Sequence, residues 1–95
     1  MQNQGELHEK TLQIKRDIGV VLLHKREFKK ALEMLEDVLE NFRRIYEESH
    51  PEFIATRVIL VGALMNLNEL DKAVEIGRDV CRKYKNTLGA NHLKH

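Results

Sequence analysis

Apolar residues recur along this chain in steps of three and four. Phe28, Ala31, Leu32, Leu35, Val38, Leu39, Phe42, Ile45 and Tyr46 fall on one stripe of a helix, and Leu70, Ala73, Val74, Gly77, Val80, Cys81, Tyr84 and Leu88 do so again. Val, Ile and Thr never alternate with polar residues for a strand's length, so no sheet is expected. Two further helices are predicted ahead of these, from about Glu9 to His24 and from about Pro51 to Leu67. The breaks at Lys25-Arg26-Glu27 and Asn66-Leu67-Asn68-Glu69 are so short that each pair of helices must fold back antiparallel. Ser49-His50-Pro51-Glu52 marks a helix start: a hydroxyl to cap, a proline in the first turn where no donor is needed, and a glutamate placed to cap back. Gly89 reads as a left-handed cap ending the last helix, and Met1 to about Gly5 as a frayed start.

The pattern is duplicated at an offset of 42 residues. That offset sets His8 over His50, Leu12 over Ile54, Leu22 over Leu64, Leu23 over Met65 and Phe28 over Leu70. It continues with Ala31 over Ala73, Leu32 over Val74, Val38 over Val80, Leu39 over Cys81 and Phe42 over Tyr84, and reaches a third start at His92. One departure is Gly77, which stands where the first copy has Leu35. A missing side chain there admits a close neighbour or leaves a weak spot of roughly 1 kcal/mol. Residues 1–95 are expected to form a single repeat domain, with repeat one at about 9–48, repeat two at about 50–90, and 91–95 a cap or the start of a third.

Ile18, Gly19, Leu22, Phe28, Ala31, Leu35 and Val38 carry the large, small, large, aromatic, alanine, large and small positions of the tetratricopeptide repeat, which the chain resembles. Leu60, Val61, Leu64, Leu70, Ala73, Gly77 and Val80 are the poorer second copy, departing at Val61 and Gly77. The period exceeds the usual 34 residues or so by about two helical turns. Together with the mid-repeat segments at 26–31 and 68–73 and the His-Pro junction, that long form is similar to the repeats of kinesin light chains. The resemblance implies an all-α fold: antiparallel helix-turn-helix pairs stacked as a short right-handed solenoid, the first helices lining a concave groove.

Carried over position by position, the resemblance lines the groove with Gln13, Arg16, Asp17, Val20, Leu23 and His24 from the first unit. The second unit adds Ala55, Val58, Ile59, Gly62, Met65 and Asn66. The asparagine and lysine with which family members clamp the terminal carboxylate of chaperone peptides are absent, since Arg16, Val20, Val58 and Gly62 occupy those turns. The paired asparagines of kinesin light chain grooves are replaced by Arg16-Asp17 and Val58-Ile59. What the resemblance then implies is a non-enzymatic adaptor or scaffold that binds a peptide or helix of a partner protein. Arg16 would pair with an acidic group, and Val58, Ile59 and Met65 would seat an apolar anchor.

Ile59-Leu60-Val61-Gly62-Ala63-Leu64-Met65 is apolar almost all round, yet too short to span a bilayer. Leu60, Val61 and Leu64 are expected in the core; Val58, Ile59 and Met65 face either a ligand or another copy. The alternative function is therefore an oligomerisation domain whose helix 54–67 forms a homodimer seam. A plain four-helix bundle, in which the pairs close on each other, is a third arrangement. Two repeats also fall below the roughly three that such stacks need, which points to a homodimer or to a longer array.

Composition narrows the partner. Sixteen Lys plus Arg against fifteen Asp plus Glu give a charge of +1, so no net field draws the chain to nucleic acid or anionic lipid, and a protein partner is expected. One cysteine and no basic-then-apolar leader favour a reducing, cytoplasmic setting. No phosphate loop, nucleophile elbow or His-Glu-x-x-His occurs, so neither catalysis nor a cofactor is expected. His8, His50 and His92 fall at successive helix starts rather than around one metal, and read as junction residues. Cys81 sits on the apolar stripe and reads as a buried small hydrophobe. The basic runs Arg43-Arg44 and Arg82-Lys83-Lys85 read as solvated helix ends.

Overall fold

A computed structural model describes the backbone of residues 4–93 and the side chains of residues 8–85. Four helices follow in order: α1 (Gln4–His24), α2 (Phe28–Ile45), α3 (Pro51–Asn66) and α4 (Leu70–Leu93). The expected start near Glu9 moves forward to Gln4, and Gly89 lies inside α4 rather than capping it. Among the described residues no glycine has a positive φ. The segment read as a third junction, up to His92 and Leu93, is thus continuous helix, and residues 94–95 lie outside the described residues.

The two hairpins turn in the same way. Arg26 and Asn68, equivalent under the 42-residue offset, both take left-handed backbone, with φ of 67° and 65°. The N–H of Glu27 donates to the Leu22 carbonyl and that of Arg26 to Leu23; Glu69 and Asn68 donate likewise to Leu64 and Met65. Each is a Schellman motif, which satisfies the last carbonyls of a helix while reversing the chain. The junction between hairpins uses a different device. His50, not the Ser49 hydroxyl, caps α3: its Nδ1 accepts from the Glu52 N–H at 3.1 Å, and its ring stacks on Tyr46 at 3.7 Å. The Glu52 carboxylate does not cap back but reaches across to Arg16 of α1.

Within the first hairpin α1 and α2 approach closely at Gly19, where a Cβ would lie 2.9 Å from Leu35 Cδ2. The small position is therefore occupied by its neighbour's bulk. Gly77 in the second hairpin meets nothing within 4 Å, so the expected close neighbour is absent there and a weak spot remains. Leu12, Leu35, Val38, Leu39 and Phe42 join Phe53, Leu60, Ala63, Leu64 and Ala73 in one core that spans the two hairpins. Leu60 and Leu64 are buried as expected, and Val61 is half-buried against them.

α3 packs on α2, α4 packs on α3 alone among the described helices, and α1 touches α3 only lightly. That order is a stack in register, not a bundle closed on itself. The molecule is a slab of 45 × 41 × 20 Å, its short dimension matching two layers of helices about 10 Å across.

Candidate functional site

Stacking distributes the sequence-predicted groove residues over two surfaces. On α1, Arg16 is half-buried and committed within the chain, to Glu52 of α3 and to Asp17 at 3.8 Å. Asp17 is exposed; Gln13 and Val20 are half-buried; Leu23 packs against the core. His24 is exposed, its Nδ1 donating to the Val20 carbonyl at 3.1 Å. On α3, Ile59 packs against the core, Gly62 is open, and Met65 and Asn66 are exposed, with Asn66 Nδ2 donating to the Gly62 carbonyl at 2.8 Å. The residues at the far end of this strip, Ala55, Val58 and Ile59, open onto a different concavity.

That concavity is a groove of about 640 Å³ between α3 and α4. Pro51, Ile54, Ala55, Val58 and Ile59 line one wall and Val80, Cys81 and Tyr84 the other. No lining residue is charged. Cys81 is exposed in this wall and not buried in the core. The reason is visible at the equivalent position: Leu39 lies at the joint with α3, whereas nothing among the described residues covers α4 in the same way. The 42-residue offset already held that signal, because Leu39 and Phe42 need a following helix to bury them, and so do Cys81 and Tyr84.

Charged groups ring the base of the second hairpin instead of the groove. Asp79 accepts from Arg57 at 2.7 Å and from Lys83 and Arg82 at 3.1 Å. Lys83 also donates to Glu48 at the junction, at 2.7 Å. Hydrogen bonds from Arg57 and Lys83 hold the Asp79 carboxyl below its ordinary range, and Lys83 holds Glu48 below its own. The same bonds from Glu48 and Asp79 push Lys83 above its usual value. Arg43 and Arg57 also lie over the Phe53 ring, at 5.6 and 5.8 Å. The first hairpin carries a looser copy of the central tie, Lys15 to Asp37 at 3.5 Å, at positions equivalent to Arg57 and Asp79.

Among the described residues no group of three or more His, Cys, Asp or Glu is placed to hold a metal ion. Nor, among them, is any helix long and apolar enough to cross a membrane. The arrangement offers an uncharged concave wall of helix.

A sequence model of the tetratricopeptide repeat matches residues 11–52 and 54–93. Two curated proteins are similar: a secreted RxLR effector protein of Plasmopara halstedii and an RxLR effector protein of Phytophthora infestans. Each is 30% identical over 80 residues, 84% of this chain. The match spans 25% of the first and 24% of the second, so the chain covers about a quarter of their length. No solved structure matches it significantly.

Proposed function

Because the chain belongs to the tetratricopeptide repeat family, we propose that it is a non-enzymatic module that holds a helix of a partner protein in the groove between α3 and α4. The observation that carries this reading is the internal precedent. Leu39 and Phe42, equivalent to the groove residues Cys81 and Tyr84, are buried at the joint with α3, and their cover there is a helix. A partner helix with apolar residues at every third and fourth position would present the same kind of surface. The exposed Asp17 and Met65 favour an extension of the contact onto the strip formed by Gln13, Arg16, Val20, His24, Gly62 and Asn66. In that extension an acidic group of the partner would take Arg16 from Glu52. The exposed thiol in the groove fits a reducing, intracellular setting for the site.

Cys81 provides the readout. A designed amphipathic helix should slow alkylation of Cys81 by a water-soluble maleimide, and a helix of the same composition with its apolar residues scattered should not. Val58→Glu should abolish the protection without loss of helical signal. Equal alkylation in the presence of either helix at saturating concentration would remove the reading.

A further inference from the structure

The two ends of the stack carry the two halves of the joint at its middle. Inside the chain, α3 presents Thr56, Leu60 and Ala63 as buried residues, at 0, 5 and 0% exposure. Their equivalents on α1 are Ile14, Ile18 and Val21, which stand 59, 42 and 55% exposed. Both sets lie at the same register of the first helix of a hairpin, and what differs is that a described hairpin precedes α3 and covers it. The opposite half behaves in the mirror sense. Leu32, Leu39 and Phe42 are buried or half-buried in the first hairpin, while their equivalents Val74, Cys81 and Tyr84 are exposed in the second.

Resting on the reading of the groove as a helix seat, we propose that its occupant is a second copy of this chain, whose Ile14, Ile18 and Val21 dock head-to-tail between α3 and α4. The contact continues, between molecules, the interface that α3 makes within one. Side-chain volume supports the match. Against the internal joint, the stripe on α1 has gained bulk, with Ile14 for Thr56 and Val21 for Ala63. The receiving side has lost some, with Cys81 in the groove wall for Leu39 and the exposed Val74 for Leu32, while Tyr84 keeps the bulk of Phe42. Large moves to one side as small moves to the other, which close packing requires of two faces that meet. Charge is consistent with the same pairing. The internal joint is bridged by Arg16 and Glu52, whose equivalents in the docked pair are Val58 and Lys10. No ion pair is left to form there, and Val58 offers apolar surface to the lysine stem. Because the two faces differ, the contact does not close on itself as a two-fold dimer; it propagates.

Sedimentation of the full chain over a rising concentration series tests this directly. The expected mass grows past a dimer without a plateau and changes little with added salt. Alkylation of Cys81 slows in step, about fourfold when the total chain concentration is ten times the dissociation constant, where about a quarter of the grooves remain open. Ile14→Glu/Ile18→Glu and Val58→Glu/Tyr84→Glu chains should each be monomeric with full helical signal, since all but Ile18 are more than half exposed in the single chain. Mixed together, they retain one good face each and should form a dimer that grows no further. A wild-type chain that stays monomeric overturns the proposal, as does a mutant that still self-associates or a mixture that does not. If the designed helix protects Cys81 while the chain remains monomeric, the helix seat stands and the second copy is the part that fails. If neither enters, both fall.

Discussion

The first hairpin is closed by its neighbour and the second is open, although both are written on one pattern. In the first, Gly19 receives Leu35 and the whole α2 stripe from Ala31 to Phe42 is covered. In the second, Gly77 receives nothing and Leu70, Val74, Cys81 and Tyr84 face outward. Burial here is a property of position in the stack more than of the residue, so equivalent substitutions should act unequally. The largest contrast is Phe42→Ala against Tyr84→Ala. Phe42 is fully buried, and its loss leaves a cavity worth about 3–5 kcal/mol. Tyr84 is 54% exposed, and its loss should stay under about 1 kcal/mol in a monomeric chain. Urea denaturation of both variants at low concentration checks this; similar midpoints would mean that the hairpins are not in register.

The glycines give the next contrast, and it changes sign. A Cβ at Gly19 must displace the fully buried Leu35, whose Cγ as well as its Cδ2 stands within about 3 Å of it, so Gly19→Ala should destabilise by about 1–3 kcal/mol. Gly77→Ala adds a methyl to open space in mid-helix and should stabilise by about 1 kcal/mol. Thermal melts of the pair should move in opposite directions.

Turn chemistry yields a smaller effect. Arg26 and Asn68 hold the same left-handed turn, but asparagine tolerates it better than a long side chain does. Arg26→Gly should stabilise by about 0.5–1 kcal/mol after the greater freedom of glycine in the unfolded chain is subtracted, and Asn68→Gly by less. Equal shifts in melting midpoint would show that αL strain is not what separates the two sites.

The same contrast separates what is legible in the sequence from what is not. The four helices, their antiparallel pairing and the offset of 42 residues were readable because helix periodicity and repetition are local, one-dimensional signals. Whether an apolar stripe is buried is not local. Cys81 and Leu39 sit at identical register, and what separates exposed from core is that α3 covers α2 while no described helix covers α4 in the same way. In sequence the groove positions Val58 and Ile59 read as apolar and in want of a cover, but nothing local joins Pro51, Ile54, Val80 and Tyr84 to them, since the groove's second wall comes from α4. Arg16 was readable as a groove cation; its partner Glu52 lies 36 residues away, across the stack, and stood in sequence as a helix-capping residue.

The smallest expected effect concerns the ion pairs that the hairpins hold in common. Arg57 and Asp79 meet at 2.7 Å with side chains 14 and 27% exposed, while Lys15 and Asp37 are 3.5 Å apart and 42 and 55% exposed. Solvent screens the looser pair more, so Asp79→Asn should destabilise more than Asp37→Asn, both within about 1 kcal/mol. The pH dependence separates them further. Arg57 and Lys83 depress the Asp79 carboxyl, so its contribution is present above the ordinary aspartate range and is lost as acid carries the pH down through the lower, folded value. Lys83, raised by Glu48 and Asp79, works in the reverse sense: its contribution is present below the ordinary lysine value of 10.5 and disappears as the pH climbs through the raised one. Removing Asp79 should therefore flatten the acid limb of a stability profile and also bring the alkaline loss to lower pH, because Lys83 keeps only Glu48 of the two carboxylates that raise it. An alkaline limb unmoved by Asp79→Asn would place the grip on Lys83 wholly at Glu48, and the joint between α4 and the inter-hairpin junction would then owe nothing to the second hairpin's own acid.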